Sequence, residues 1–347
     1  VATAATIHAN HNDKRRISPT IDACGETTPD TKAYDSPPIN AMSASKDVKS
    51  STVLTSIIVS MPAPQARMES LNELEPKVPI VISVQDLQAL DRTDVVIADV
   101  RWYLDGRDGR KAYTDGHIPG AIFVDLDRDL ASSDQSDATH GRHPFPTPSA
   151  FAGAMSRLGI GSDSHVVAYD DTGGMTASRL VVMLRMLGCK ASVLDGGITA
   201  WQRANDQPLA SGKPTTVKAA SFTTVEWPAD QIVAKQELES IVAEGAINSR
   251  RVLLDARSGD RFQGIVTEAT AKLDPRPGHI PGAFSAPWNA VIDSDSSSFK
   301  SVEELQSHYE SLCVDLADEV IAYCGSGISA CANIVALEHA GYPTPRL

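Results

Sequence analysis

The chain has 347 residues, of which 42% are hydrophobic, and its formal net charge is −13. This hydrophobic content excludes wholesale disorder, and 31 basic against 44 acidic residues argue against nucleic acid or an anionic membrane as partner. No apolar run approaches the roughly 18 residues of a membrane-spanning helix, so we expect a soluble protein of about two domains.

Residues 1–78 are rich in Ser, Thr, Ala and Pro and show no sustained hydrophobic period, which predicts a disordered or targeting segment. Lys46 and Lys49 precede a short apolar patch, so a secretory signal or a mitochondrial transit peptide is an alternative to an untargeted tail. We therefore expect a cytoplasmic protein, or a mitochondrial one if this segment is a transit peptide.

From residue 79 onward, helical patterns alternate with short apolar runs. Ser83 is the expected N-cap of a helix that ends near Leu90, with Asp86 at the third helical position. Continuous apolar runs at residues 94–99, 166–169 and 191–194 are typical of strands buried on both faces. This alternation predicts an α/β fold with parallel sheets flanked by helices.

An internal repeat divides this folded part into two copies. The hexapeptide at residues 116–121, GHIPGA, recurs at residues 278–283, and Asp99-Val100-Arg101 corresponds to Asp255-Ala256-Arg257. These landmarks keep their order at nearly constant spacing. We therefore predict a domain at residues 79–210, a polar linker at 211–229 and a second domain at 230–347.

The two copies differ at one chemically important position. After the same predicted buried strand, the first copy has Asp170 and the second has Cys324. A thiol in one copy and a carboxylate in the other is the difference expected between an active and an inactive copy.

Cys324 begins a glycine-rich loop that leads into a helix predicted at residues 330–340. The loop residues after the thiol are Gly325, Ser326, Gly327, Ile328 and Ser329. Backbone N–H groups of such a loop can turn inward as an anion-binding nest, and the helix dipole adds positive potential. Both effects favour the thiolate, so we expect a lowered pKa and a nucleophilic Cys324.

A thiolate in such a loop is compatible with three chemistries. Phosphoester hydrolysis is disfavoured because it needs an arginine six residues after the cysteine, where this chain has Ala330. A Cys–His hydrolase has no histidine nearby in sequence, although a distant one could fold next to the thiol. Sulfur transfer needs only a neutral nest that stabilises a persulfide. The scattered cysteines, none in a C-x-x-C pair, argue against a disulfide framework and against a structural zinc site.

The duplicated domain, the two GHIPGA elements and the loop CGSGIS resemble the tandem rhodanese-type sulfurtransferases, over about residues 79–347. The loop is similar to the CGSGVT loop of 3-mercaptopyruvate sulfurtransferases. The resemblance implies that sulfane sulfur moves from 3-mercaptopyruvate to a thiol or cyanide through a Cys324 persulfide, with release of pyruvate. The acceptor would be a low-molecular-weight thiol or a thioredoxin-like protein, and neither metal nor organic cofactor is implied.

Two alternatives stay open. One is thiosulfate:cyanide sulfurtransfer, although the neutral Gly325 and Ser326 favour mercaptopyruvate, because thiosulfate-specific relatives carry basic residues there. The other is a non-catalytic sulfur-carrier or partner-binding module.

The same resemblance assigns roles to residues outside the loop. Thr176-Ala177-Ser178-Arg179 matches the family's S-A-x-R helix start, so Arg179, with Arg185 as a weaker candidate, would bind the donor carboxylate together with His143. Asp127 would handle the proton with Ser326. The implied catalytic residues are Cys324, Ser326 and Asp127, and the implied substrate-binding residues are Arg179, His143, Arg185, Gly325, Gly327, Ile328 and Ser329.

The family also leads us to expect one more strand and helix after Gly341 and Tyr342, as in the first copy. We therefore predict that the second domain is cut short in this sequence, since that strand lies inside the sheet of the family's fold.

Overall fold

The computed structural model describes residues 78–91, 93–134, 141–205, 208–213, 217–245, 250–274 and 276–347. Residues 78–347 form one compact unit. The predictions made for the N-terminal segment lie outside the described residues, apart from Val78. The domain boundaries at 79–210, 211–229 and 230–347 stay predictions.

The first copy is built on a five-stranded parallel sheet in the order β1-β5-β4-β2-β3. Its elements are β1 Val81–Ile82, α1 Val84–Ala89, β2 Val95–Asp99, α2 Gly109–Asp115, β3 Ile122–Phe123, α3 Leu126–Asp129, α4 Pro148–Arg157, β4 His165–Tyr169, α5 Ala177–Met186, β5 Ala191–Leu194 and α6 Gly197–Asn205. The predicted start of α1 is confirmed, because Ser83 and Asp86 form a reciprocal capping box.

The second copy repeats this plan with the sheet order β7-β6-β8. Its elements are α7 Lys235–Glu244, β6 Arg251–Asp255, α8 Gly259–Gln263, α9 Glu268–Leu273, β7 Phe284–Ser285, a 3₁₀ helix Trp288–Val291, α10 Val302–Ser311, β8 Glu319–Tyr323 and α11 Ser329–His339. The predicted α/β fold with two tandem domains is therefore confirmed.

The last residues continue the sheet of the second copy. Arg346 pairs with Ile321 of β8 in parallel, at the place that β5 occupies beside β4 in the first copy. Leu347 in turn exchanges backbone hydrogen bonds with Gln231 and Val233. The expectation of a truncated second domain stays a prediction.

The two copies share one hydrophobic core. Helix α5 of the first copy packs against α11 of the second, and a continuous cluster of buried side chains includes Leu180 and Val181 together with Ile334 and Val335. Nine of the ten α5 residues are buried, because the helix is covered by its own sheet on one side and by the other copy on the other. This packing brings the loop before α11 next to side chains of the first copy.

Candidate active site

The thiol of Cys324 lies where β8 ends and the loop to α11 begins. Its Sγ accepts hydrogen bonds from the backbone N–H of Gly327 at 3.1 Å and of Ser326 at 3.4 Å, and the Ser326 hydroxyl lies 3.9 Å away. Gly327 has φ +72°, a left-handed conformation that glycine adopts without strain, and this conformation contributes to turning the amides inward. The loop is thus the predicted anion-binding nest, with the sulfur at its centre.

The environment lowers the pKa of the Cys324 thiol below its ordinary value. Burial alone would raise it, but hydrogen bonds from the Ser329 hydroxyl, the amides of Ser326 and Ala330 and the Ser326 hydroxyl outweigh that effect. The predicted direction of the shift is confirmed. A larger thiolate fraction at neutral pH makes Cys324 a better nucleophile.

The other described thiols have a different character. Cys331 is fully buried, donates to the Gly327 carbonyl at 2.9 Å, and burial raises its pKa to about 12. Burial also raises the pKa of the half-buried Cys189. Cys313 is disulfide-bonded, so the expectation drawn from the cysteine pattern does not hold for this residue. Among the described residues, Cys324 is the free thiol suited to nucleophilic attack.

Arg179 lies in the first turn of α5 and contacts the cysteine loop through the backbone carbonyl of Gly327. Its side chain is 1% exposed and donates to the carbonyls of Leu130 at 3.2 Å, His143 at 3.0 Å and Gly327 at 3.4 Å, while its guanidinium carbon lies 4.1 Å from the Phe145 ring centre. Burial lowers its pKa. The expectation that Arg179 binds a donor carboxylate is therefore corrected: its guanidinium is covered and holds the carbonyl of Gly327.

Arg185 lies farther along α5 and away from the loop. It forms a salt bridge with Glu338 of α11 and donates to the carbonyls of Val78 and Ala191, both at 3.1 Å. Both charged side chains of the bridge are 12% exposed. The weaker expectation of a substrate-binding role for Arg185 is corrected as well, because its guanidinium joins the two copies at a distance from the thiol.

His143, Asp127 and Trp102 form a hydrogen-bonded group. Asp127 accepts from the Trp102 indole at 2.9 Å and lies 3.0 Å from His143 Nε2. Burial lowers the pKa of His143, against the opposing effect of Asp127, so the imidazole is neutral at pH 7 and donates from Nε2. In the described part of the chain, the Asp127 carboxylate therefore hydrogen-bonds His143 and Trp102, and not Ser326 as the family pattern suggested.

The segment before His143 touches the cysteine loop directly. The Arg142 backbone N–H donates to the Gly325 carbonyl at 3.2 Å, and a side chain at Gly141 would come within 3.4 Å of that oxygen. The first copy thus supplies one wall of the site, and the predicted role of His143 in binding the donor stays a prediction.

Two arginines that the sequence reasoning missed flank the loop. A methyl group placed on Gly325 would lie 2.9 Å from one amino group of Arg261 and 3.1 and 3.3 Å from the two of Arg142. Arg261 is held by Asp274 through two hydrogen bonds of 2.6 Å, and Arg142 donates to the Leu273 carbonyl at 2.6 Å. The space beside Gly325 that Arg142 and Arg261 flank, which we call the mouth of the loop, is therefore cationic, although the loop itself has no charged residue.

One signal for Arg261 was present in the sequence. The spacing between the copies grows by six residues between Arg257 and Gly278, which indicates an insertion there. In the structure this stretch carries α9, which ends beside Asp274 and Arg142.

Within the described ranges, no group of three or more His, Cys, Asp and Glu side chains is placed to hold a metal ion. The helices of that part of the chain are also too short or too polar to cross a membrane.

Known proteins share this architecture. A model of the rhodanese-like domain matches residues 83–204 and 234–347. A Pseudomonas aeruginosa protein named a probable 3-mercaptopyruvate sulfurtransferase is 37% identical over 272 residues, which cover 77% of this chain and 91% of the relative. SseB of Mycobacterium tuberculosis, which carries the name of a thiosulfate sulfurtransferase, is 36% identical over 244 residues, covering 70% and 81%. The solved structure of SseA from Escherichia coli, a 3-mercaptopyruvate sulfurtransferase, superimposes with a TM-score of 0.66 at 29% identity, covering 78% of this chain and 97% of SseA.

Proposed function

Since the chain belongs to the rhodanese-like family and is a sulfurtransferase, we propose that it transfers sulfur from 3-mercaptopyruvate through a persulfide on Cys324. The observation that carries this proposal is the Cys324 sulfur, which accepts two backbone N–H groups and has a lowered pKa. The mercaptopyruvate donor is the one named for the Pseudomonas aeruginosa relative and for SseA.

In the first step, the Cys324 thiolate attacks the sulfur of 3-mercaptopyruvate. A sulfur–sulfur bond forms, the carbon–sulfur bond breaks, and its electron pair goes to carbon to give the enolate of pyruvate. The donor's thiol proton then moves to that carbon, so that pyruvate and an anionic persulfide result. The amides of Ser326 and Gly327 already face the sulfur and stabilise the negative charge.

In the second step, an acceptor thiol attacks the outer sulfur of the persulfide. The bond between the two sulfurs breaks, its electron pair returns to Cys324, and the acceptor leaves as a persulfide. Cyanide reacts in the same way and gives thiocyanate. A low-molecular-weight thiol or a thioredoxin-like protein is the proposed acceptor.

The structure suggests how the donor is held. Its carboxylate meets the guanidinium groups of Arg142 and Arg261 at the mouth, where Arg179 and Arg185 were expected instead. Neutral His143 lies in the adjoining wall and presents a polar ring that Asp127 orients. The Ser326 hydroxyl, 3.9 Å from the thiol, relays the donor's proton in this proposal.

The test is pyruvate release and persulfide formation from 3-mercaptopyruvate with the full chain and with Cys324→Ser. We expect pyruvate release with a thiol acceptor, and one added sulfur on the Cys324 peptide by mass spectrometry, both lost in the variant. Full activity of Cys324→Ser would overturn the proposal. A stable persulfide without turnover would favour the carrier or binding-module alternative. The compartment, cytoplasmic or mitochondrial, stays a prediction.

A further inference from the structure

The mouth of the cysteine loop combines cations from both copies. Arg142 comes from the first copy and Arg261 from α8 of the second, and their amino groups lie within 3.3 Å of the same point above Gly325. Two guanidinium groups this close repel each other, and the pKa of Arg142 is lowered by burial and by Arg261. The arrangement is therefore kept at an electrostatic cost, which an anion between or beside the two groups would offset.

The least compensated charge of this cluster belongs to Arg142. Arg261 is paired with Asp274 by two hydrogen bonds, and Arg257 is paired with Asp255. Among the described residues, no carboxylate lies within salt-bridge distance of Arg142; its side chain donates to the Leu273 carbonyl, and Asp274 attracts it only from farther away. Its half-buried position limits screening by solvent.

Resting on the proposed function, we propose that Arg142 is a specificity-determining residue by which the copy without the thiol selects sulfur donors according to their charge. Thiosulfate-specific relatives carry basic residues at the positions of Gly325 and Ser326. In this chain Arg142, from the other copy, provides a positive charge beside those positions. A donor with two negative charges, such as thiosulfate, gains more from this cation than a monoanion such as 3-mercaptopyruvate. The neutral loop therefore does not exclude dianionic donors.

The reaction with a dianionic donor balances without a further reagent. The Cys324 thiolate attacks the outer sulfur of thiosulfate, a new sulfur–sulfur bond forms, and the old one breaks. Sulfite leaves as a dianion with the electron pair of the broken bond, and the third negative charge stays on the outer sulfur of the Cys324 persulfide. Pyruvate carries only one charge away, so the Arg142 amino groups beside Gly325 stabilise departing sulfite more than pyruvate.

The first test compares kcat/KM for the two donors in the full chain and in Arg142→Gln. Coulomb energy scales with donor charge, so if the variant loses about fivefold with mercaptopyruvate, it should lose about twenty-five-fold with thiosulfate. Arg142→Lys keeps the charge and should keep most of the thiosulfate activity. Arg203→Gln is the matched control, because Arg203 also joins the copies by donating to backbone carbonyls, of Asp295 and Ser296.

Three results would contradict the inference. They are no thiosulfate transfer by the wild-type chain, equal losses for both donors in Arg142→Gln, and the same change of donor ratio in Arg203→Gln. Failure of the proposed function gives a different pattern, in which the wild-type chain transfers sulfur from neither donor.

A second test does not depend on sulfur transfer. Cys324 is alkylated with anionic iodoacetate and with neutral iodoacetamide, and the modified Cys324 peptide is quantified by mass spectrometry. A change in the pKa of the thiol affects both rates alike and cancels in their ratio. We expect the iodoacetate-to-iodoacetamide ratio to fall several-fold in Arg142→Gln and to hold in Arg142→Lys and Arg203→Gln; an unchanged ratio in Arg142→Gln would overturn the inference.

Discussion

Corresponding loops of the two copies hold an acidic side chain in the same kind of backbone nest, but the first loop holds a carboxylate and the second a thiol. In the first copy, the fully buried Asp170 carboxylate accepts five hydrogen bonds of 2.8–3.0 Å. The donors are the backbone N–H groups of Thr172, Gly174, Thr176 and Ala177 and the hydroxyl of Thr176. In the second copy, the half-buried Cys324 sulfur accepts two backbone N–H groups.

The difference indicates that the second loop can bind a larger anion than the Cys324 thiolate. Both oxygens of Asp170 are saturated, so its loop is filled permanently by a group that cannot leave. In the second loop, the amides face a single sulfur atom of Cys324. A second sulfur bound to it would give a two-atom anion, comparable to the two carboxylate oxygens of Asp170 in the first copy. The first loop is thus a permanent counterpart of the persulfide state that we propose for the second loop.

The largest effect is expected from Cys324→Asp, which gives the second loop the side chain of the first. Sulfur transfer should fall by more than about a thousandfold, because the nucleophile is gone. The carboxylate should nevertheless bind the loop amides. At pH 7 we expect Cys324→Asp to be more stable to urea than the uncharged Cys324→Asn by about 1–2 kcal/mol, since hydrogen bonds to a charged acceptor are stronger. Equal unfolding midpoints would mean that the loop does not favour anions.

The reverse test is Asp170→Asn in the first copy. An amide NH₂ would replace one acceptor oxygen and face backbone N–H donors, so the free energy of unfolding should fall by about 2–4 kcal/mol in urea titrations. Asp171→Asn is the control, because that neighbouring carboxylate accepts from the Tyr103 hydroxyl; we expect it to cost less. If Asp170→Asn unfolded at the wild-type urea concentration, the first loop could not be regarded as a saturated anion site.

A smaller effect is expected from the contact that joins the second loop to the first copy. Arg179→Met removes the positive charge next to the Gly327 carbonyl, so the pKa of Cys324 should rise. The measurement is the pH dependence of iodoacetamide alkylation of Cys324, whose midpoint should move to higher pH in Arg179→Met and less in Arg179→Lys. An unchanged midpoint would show that Arg179 contributes to packing and does not affect the pKa of Cys324.

The same lowered pKa links stability to pH. Because the folded state favours the thiolate, Cys324 contributes stability above the pKa of the unfolded thiol. This contribution is lost as the pH falls through the lowered pKa of the folded state. Cys324→Ser should lack this part of the pH dependence.

The sequence predicted the elements that depend on local pattern. The repeated hexapeptide, the buried runs at 94–99, 166–169 and 191–194 and the glycine-rich loop predicted two parallel sheets with Cys324 at a strand end, and the structure confirms these. Such features follow from residue period and backbone conformation, which a linear reading can detect.

The errors concern side chains that lie where the two copies meet. Arg179 and Arg185 were expected to face a substrate, but their helix is buried on all sides and their guanidinium groups meet carbonyls or Glu338. The nearly continuous apolar run from Ala177 to Met186 was a usable warning, because it leaves no face of α5 for solvent. Arg142 could not be found this way, since its position beside Gly325 depends on the docking of the two copies.

The contact between Arg179 and Gly327 also bears on the order in which the parts of the site form during synthesis. Synthesis proceeds from the N-terminus, so the first copy leaves the ribosome before the loop that contains Cys324 exists. The nascent loop has no cation behind Gly327 and no wall from Gly141 and Arg142 until the two copies have docked. The hydrogen bonds of the loop itself can therefore form as soon as the second copy folds, but the surroundings that the first copy supplies are complete only when the two copies have docked.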